Sequence, residues 1–215
     1  RRPPCPEFRL QGQVIQYATQ APFLGVTFDQ HLTWKPHIMD LIEKCSKDIN
    51  LLTHLRGTTW GADQHTLLLI YRALIGSKLD YGSQVYDSAH PDLLHKLDTI
   101  QWKALRQCTG TLTNTSLHEL QIITGDLPLS LRREENTLKF AARNAVHSTS
   151  HPTRIAIANC ERKFYRKRVP NPPAAHKIHQ YHLLHPENTL QPEQYTQRNR
   201  GATYHPRLTW TSSST

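Results

Sequence analysis

Cysteine is scarce and scattered in this chain of 215 residues, and several other marks of a reaction or a membrane are missing. The four cysteines, Cys5, Cys45, Cys108 and Cys160, include no Cys-x-x-Cys pair. That spacing argues against a disulfide framework and a zinc knuckle, and it suits a reducing, intracellular setting, nuclear and cytoplasmic. No apolar run approaches the roughly 20 residues needed to span a bilayer, so no membrane partner is expected. Arg1-Arg2-Pro3-Pro4-Cys5-Pro6 also lacks the apolar core of a signal peptide. Neither a Gly-rich phosphate loop nor a Ser-His-Asp order stands out, and no adjacent Asp-Asp pair occurs. No catalytic residue, metal ligand or small-molecule substrate is therefore expected. The first residue is Arg1 and not Met, as expected of a piece of a longer protein.

Hydrophobic residues make up 37% of the chain, somewhat low for a fully globular protein, so part of it is expected not to fold. The formal net charge of +9 is unevenly spread. Residues 1–150 carry 16 basic and 14 acidic side chains, whereas residues 151–215 carry 10 and 3. A balanced front with a basic tail points to a polyanionic partner, because Lys and Arg displace counterions condensed on phosphates; a well-solvated surface is the rival explanation.

Residues 8–28 read as short strands. Phe8 to Leu10, a turn at Gln11-Gly12, Val14 to Tyr17 and then Phe23 to Phe28 form one small antiparallel unit. Pro36 lies in the first turn of a helix on which Ile38, Leu41, Ile42, Cys45, Ile49 and Leu52 share a face, and Gly57 stops it. Asp63 is a plausible N-cap for a second helix, whose run Leu67 to Ile75 is apolar nearly all round and belongs at the centre of a bundle. A third helix runs from Pro91 to Gly110 with Leu93, Leu97, Ile100, Ala104 and Cys108 aligned. Two more cover Ser116 to Thr124 and Leu129 to about His147. Beyond residue 151 the Pro, His, Gln, Asn and Arg content predicts a segment unable to bury enough apolar surface to offset its ordering entropy. The expected organisation is a β-hairpin unit over 1–30, an antiparallel helix bundle over 31–150 and a largely disordered basic tail over 151–215.

Three stretches in order resemble the region after the catalytic motif in LINE-type, non-LTR retrotransposon reverse transcriptases. They are Pro22 to Asp29 with Leu32-Thr33-Trp34-Lys35-Pro36-His37-Ile38; Gly57-Thr58-Thr59-Trp60-Gly61 with Leu68 to Asp87, containing Leu79-Asp80-Tyr81-Gly82; and Leu97 to Gly110. The stretches run from Pro22 to Gly110, and the resemblance as a whole covers roughly residues 10–148. The resemblance implies that Phe23-Leu24-Gly25 is the primer grip and that the helices are a thumb and connector holding template-primer RNA and DNA. Without it, Gly25 reads as an ordinary strand glycine at a bulge.

Nucleotidyl transfer needs carboxylates converging on two Mg²⁺ ions about 4 Å apart. The family's Tyr-x-Asp-Asp turn is absent, so the resemblance implies a truncated or non-autonomous piece, inactive alone, whose Mg²⁺ sits in a palm upstream. Asp80 is single, expected to cap, to pair with Lys78 or to mark a helix bend. Glu134-Glu135 suits the positive end of a helix dipole. Trp34 and Trp60 either stack on nucleic acid or plug the bundle core. Arg56, Lys78, Lys103 and Arg106 line either a phosphate-facing surface or a plain solvated one. In the tail, Arg162, Lys163, Arg166, Lys167 and Arg168 interleave with Phe164 and Tyr165. That pattern suits single-stranded nucleic acid, with nuclear import and solubility as rivals. His176, His179, His182 and His185 recur every third residue, but Pro172-Pro173 and Pro186 disfavour a helix there and a second thiol is lacking, so zinc is not expected. Two other readings remain open: a domesticated nucleic-acid-binding or protein-interaction module, and a retroelement relic without function.

Overall fold

The structure, a computed structural model, describes residues 8–57, 61–145, 147–148, 150–159 and 172–184. It is mainly helical, as the patterning predicts, with two small antiparallel hairpins leading into a helix bundle.

The hairpins are separate two-stranded sheets and not one unit. Strands β1 (Phe8–Leu10) and β2 (Gln13–Ile15) pair with Phe8 opposite Ile15, around a turn at Gln11-Gly12. Strands β3 (Gln20–Phe23) and β4 (Val26–Asp29) pair with Gln20 opposite Asp29 and Phe23 opposite Val26. The single strand expected over Phe23 to Phe28 is thus broken by a turn at Leu24-Gly25. A run of β-formers signals extended backbone but not where the chain reverses, and reversal here uses two consecutive residues with positive φ.

Asp29 organises the entry to the bundle. One carboxylate oxygen accepts from the Thr33 N–H at 3.0 Å and the Thr33 hydroxyl at 2.9 Å, and the other accepts from the Trp34 N–H at 2.9 Å. Partial burial alone would raise its pKa, yet these donors together hold it below the usual carboxylate value. Helix α1 (Lys35–Leu55) follows, with Pro36 in its first turn and His37, Ile38, Leu41, Cys45, Ile49 and Leu52 on its buried face. Asp63 caps α2 (Gln64–Tyr71) by accepting from the N–H groups of His65 and Thr66 at 3.1 and 3.4 Å. The helix then widens into a π turn (Arg72–Gly76) and continues as α3 (Ser77–Asp80). Tyr81-Gly82 breaks the run before the short α4 (Ser83–Tyr86). Pro91 opens α5 (Pro91–Thr109), and a Ser116/Glu119 capping box opens α6 (Leu117–Thr124).

The core lies where α1 crosses α5 and the α2–α3 run packs between them. Ile38, Cys45, Tyr71, Ile75, Tyr86, Leu97, Leu105 and Leu120 are fully buried or nearly so. Each large aliphatic contributes roughly 1.5–3 kcal/mol through burial. The expectation of a central second helix holds for Leu67, Leu68, Tyr71 and Ile75, while Leu69 is half exposed.

Helix α7 (Leu129–Ala145) buries Leu129 in this core and is further attached through polar groups. Arg132 forks onto Asp80, with Nε donating to Oδ1 at 3.1 Å; Arg133 Nε donates to Asp87 at 2.9 Å; and Asn136 donates to the Ser83 hydroxyl at 3.0 Å. Burial would lower the pKa of Arg132, but the Asp80 carboxylate raises it, so the guanidinium stays charged. Little order is expected beyond residue 151, yet helices α8 (Pro152–Ala158) and α9 (Ala174–Leu184) form and pack on α7 and on each other. Ile157 and Ile178 meet Ala141 in a small second core, and Lys177 reaches Asp87. Pro152 occupies the first helical turn and Pro172-Pro173 precedes α9, positions where a missing N–H costs nothing. Segments 160–171 and 185–215 lie outside the described residues.

Candidate nucleic-acid interface

The turn between β3 and β4 places Leu24 (φ 46°) and Gly25 (φ 78°) at its two central positions, both left-handed, the pattern of a type I′ hairpin turn. Such a turn matches the right-handed twist of the flanking strands. Leucine is an unusual occupant of its first central position, because its Cβ crowds the carbonyl. Phe23 and Leu24 project outward, 64% and 75% exposed.

The bundle holds this tip in place. The Tyr81 hydroxyl donates to the Leu24 carbonyl at 2.6 Å, and a Cβ added to Gly25 would lie 3.2 Å from Tyr81 Cε1. Next along the chain, Gly82 (φ 65°) lets the backbone turn against β4; a Cβ there would sit 3.0 Å from Val26 Cγ2. Underneath, the Thr27 N–H donates to His37 Nδ1 at 3.4 Å. Accepting at Nδ1 leaves the proton on Nε2, and burial, opposed by the nearby Asp40 charge, pushes the imidazole below the usual histidine pKa. Its Nε2 is buried without a hydrogen-bond partner. Phe28 packs edge-on against Trp34 at 5.3 Å, and Trp34 Nε1 donates to the Ser88 hydroxyl at 2.9 Å. Trp34 is therefore a core plug, the structural one of its two readings. An open cavity of about 420 Å³ lies beside the tip, bordered by Gly25, His37, Asp40, Lys44 and Tyr81.

Two of the sequence phrases quoted above thus meet in space, with Leu24-Gly25-Val26 lying against Tyr81-Gly82. Gly25 is a left-handed turn residue, neither a bulge nor a strand position. Sequence reading passed over Tyr81 and His37 as site residues, although both sit inside the quoted phrases; nothing in a linear pattern says that they face the hairpin.

The four basic candidates on the bundle do not form one row. Arg56, exposed at the end of α1, donates to the Gln107 side chain at 3.2 Å and lies against Gly110. Lys103 is exposed on the same stretch of α5. One turn on, Arg106 stacks over the Trp102 ring at 4.9 Å, and that indole donates to the Thr115 carbonyl at 2.8 Å. These three share the α1–α5 end of the bundle. Lys78 stands apart, paired with Asp48 at 2.6 Å. Asp80 marks the helix bend, but its partner is Arg132 and not Lys78. Glu135 pairs with Lys139 one turn along α7. Arg162, Lys163, Arg166, Lys167, Arg168 and Trp60 lie outside the described residues. Among the described residues no group of three His, Cys, Asp or Glu side chains is placed to hold a metal ion, and no helix is long and apolar enough to cross a membrane.

Known proteins that resemble this chain include retrotransposon polymerases. Over about 70% of its length it is similar to the RNA-directed DNA polymerases of non-LTR retrotransposons. It is 24% identical over 149 residues to the Pol polyprotein of a type-1 retrotransposable element from Bradysia coprophila, a match covering 67% of this chain and 14% of that protein. The RNA-directed DNA polymerase from mobile element jockey of Drosophila melanogaster is 24% identical over 72% of this chain and 17% of its own length. A probable RNA-directed DNA polymerase from the X-element transposon of the same fly is 26% identical over 74% of this chain and 17% of its own length. The chain thus spans only 14–17% of the length of these curated relatives. No family model matches it, and no solved structure does.

Proposed function

We propose, taking that similarity as premise, that residues 8–145 grip the template-primer duplex for an RNA-directed DNA polymerase whose palm lies upstream of this segment. The β3–β4 hairpin would be the primer grip and the helices the thumb. The observation that carries the reading is the hairpin tip: an exposed, glycine-containing turn, braced from beneath by Tyr81, His37 and Gly82. Gly25, lacking a side chain, lets backbone approach a strand closely beside the exposed Phe23 and Leu24 side chains, and a braced tip loses little entropy on contact. Arg56, Lys103 and Arg106 at the far end of α1 and α5 would supply phosphate contacts, fixing position without reading sequence. Lys78 would contribute less, because Asp48 already neutralises it. Mg²⁺ and the catalytic carboxylates belong, in this reading, to the palm.

The test is binding of the purified chain to a labelled RNA/DNA hybrid with a recessed primer end, followed by anisotropy across salt concentrations. Affinity should fall as salt rises, with a log–log slope of about −0.9 for each phosphate neutralised. Arg56→Glu and Lys103→Glu should each flatten that slope by about one. Binding that ignores salt, or no binding below about 100 μM at low salt, defeats the proposal and favours a protein-interaction module.

A further inference from the structure

We infer that Tyr81 is a positioning residue for the hairpin tip, setting the direction of the Leu24–Gly25 peptide so that its N–H faces a phosphodiester oxygen of the bound strand. The inference rests on the gripping function proposed above and adds a residue and a ligand atom to it. In a two-residue hairpin loop the carbonyl of the first central residue lies outside the strand ladder, so the ladder does not fix that peptide plane. Here the Tyr81 hydroxyl fixes it by donating to the Leu24 carbonyl at 2.6 Å, while the ring edge lies against Gly25. Because the peptide is planar and trans, C=O and N–H point in opposite directions. Holding the carbonyl toward the Tyr81 hydroxyl therefore turns the Gly25 N–H away from that hydroxyl.

Tyr81 is well placed for this role and poorly placed for a core one. It follows the last residue of α3, where its N–H still donates to the Ser77 carbonyl at 3.0 Å while its ψ of 120° leaves the helix. The left-handed Gly82 follows and packs on Val26. The backbone is thus pinned on both sides, while the side chain is 57% exposed and its hydroxyl reaches the tip. A tyrosine needed for the core would be buried, as Tyr71 and Tyr86 are.

The experiment compares the unchanged chain with Tyr81→Phe, Tyr81→Leu and Leu24→Asp, using the primer-recessed RNA/DNA hybrid, thermal melting and the Gly25 amide resonance. Leu24→Asp puts a negative charge at the tip and reports on the gripping function alone. Tyr81→Phe should weaken the hybrid roughly three- to tenfold, the worth of one hydrogen bond, and move the Gly25 resonance while the melting temperature stays put. Tyr81→Leu, which also loses the ring contact, should weaken it further. If Leu24→Asp weakens binding and Tyr81→Phe does not, the positioning role is wrong and the grip stands. Should neither variant change binding, the grip falls and the inference with it. A Tyr81→Phe protein that loses melting temperature and affinity together, with Tyr81→Leu behaving alike, would make Tyr81 a structural residue and overturn the inference.

Discussion

Replacing Asp87 by asparagine removes a charge that holds two helices at once. Its carboxylate, 7% exposed, accepts from Arg133 on α7 and Lys177 on α9. The Arg133 side chain is 8% exposed and cannot turn to solvent without pulling α7 off the bundle, whereas Lys177, at 33%, can rehydrate. Breaking a buried pair from one side costs about 3–5 kcal/mol, because the surviving charge stays desolvated. Asp98 tempers this. Burial pushes its carboxyl above the usual value, Arg133 opposes that rise, and after the substitution Asp98 remains as an anion in the same pocket. The lower end, about 3 kcal/mol, is therefore expected, or about 6–12 °C in melting temperature for a chain of this size. Urea unfolding would measure it, and amide exchange over Leu129–Ala145 would show α7 losing protection first. Lys177→Met should cost no more than about 1 kcal/mol, as suits a partly exposed pair. The double variant Asp87→Leu/Arg133→Met should recover most of the single loss, since it removes both members of the most deeply buried pair and leaves only the more exposed Lys177 and Asp98 to rehydrate. An Asp87→Asn protein within about 0.5 kcal/mol of the parent, or a double variant whose losses simply add, would refute the claim that α7 is held by a buried ion pair.

Three further outcomes follow from the same coordinates. Burial depresses His37 below its unfolded value near 6.5, so the unfolded chain binds the proton first and stability should drop as pH falls below about 6.5; His37→Asn, which keeps an acceptor for Thr27, should remove that part of the slope in urea titrations at pH 5 to 8. Gly82→Ala forces a side chain into a left-handed backbone 3.0 Å from Val26 and should cost about 1–2 kcal/mol by denaturant melting, a neutral result counting against the turn described here. Burial raises the Cys45 and Cys108 thiols to about 11 and about 12, so neither should be alkylated by iodoacetamide at pH 8 until the chain unfolds, which peptide mass spectrometry would read.

The helices were legible from periodicity, because burial on one face imposes a repeat of 3.6 residues wherever it occurs. Ile38 through Leu52, Asp63 as a cap, Pro91 to Gly110 and the short helix at Ser116 to Thr124 all appear where pattern and capping chemistry place them. What cancelled the local signal was partnership across long separations. The π turn at Arg72–Gly76 leaves no mark in the apolar run, and the helices beyond residue 151 form against α7 although their own composition argues against order.

Sequence alone determined the helical body, the uneven charge, the missing Asp-Asp pair and, through the order of its phrases, the relationship to retrotransposon polymerases. Those properties depend on side-chain type and spacing, which the chain carries wherever it goes. Only the tertiary structure decided that Leu24-Gly25 is a hairpin tip, that Tyr81 reaches it across 57 residues, and that Asp80 and Asp87 pair with arginines of α7. Each of those is a choice among partners, and a polar side chain's partner is set by which surfaces the buried core brings within about 3 Å.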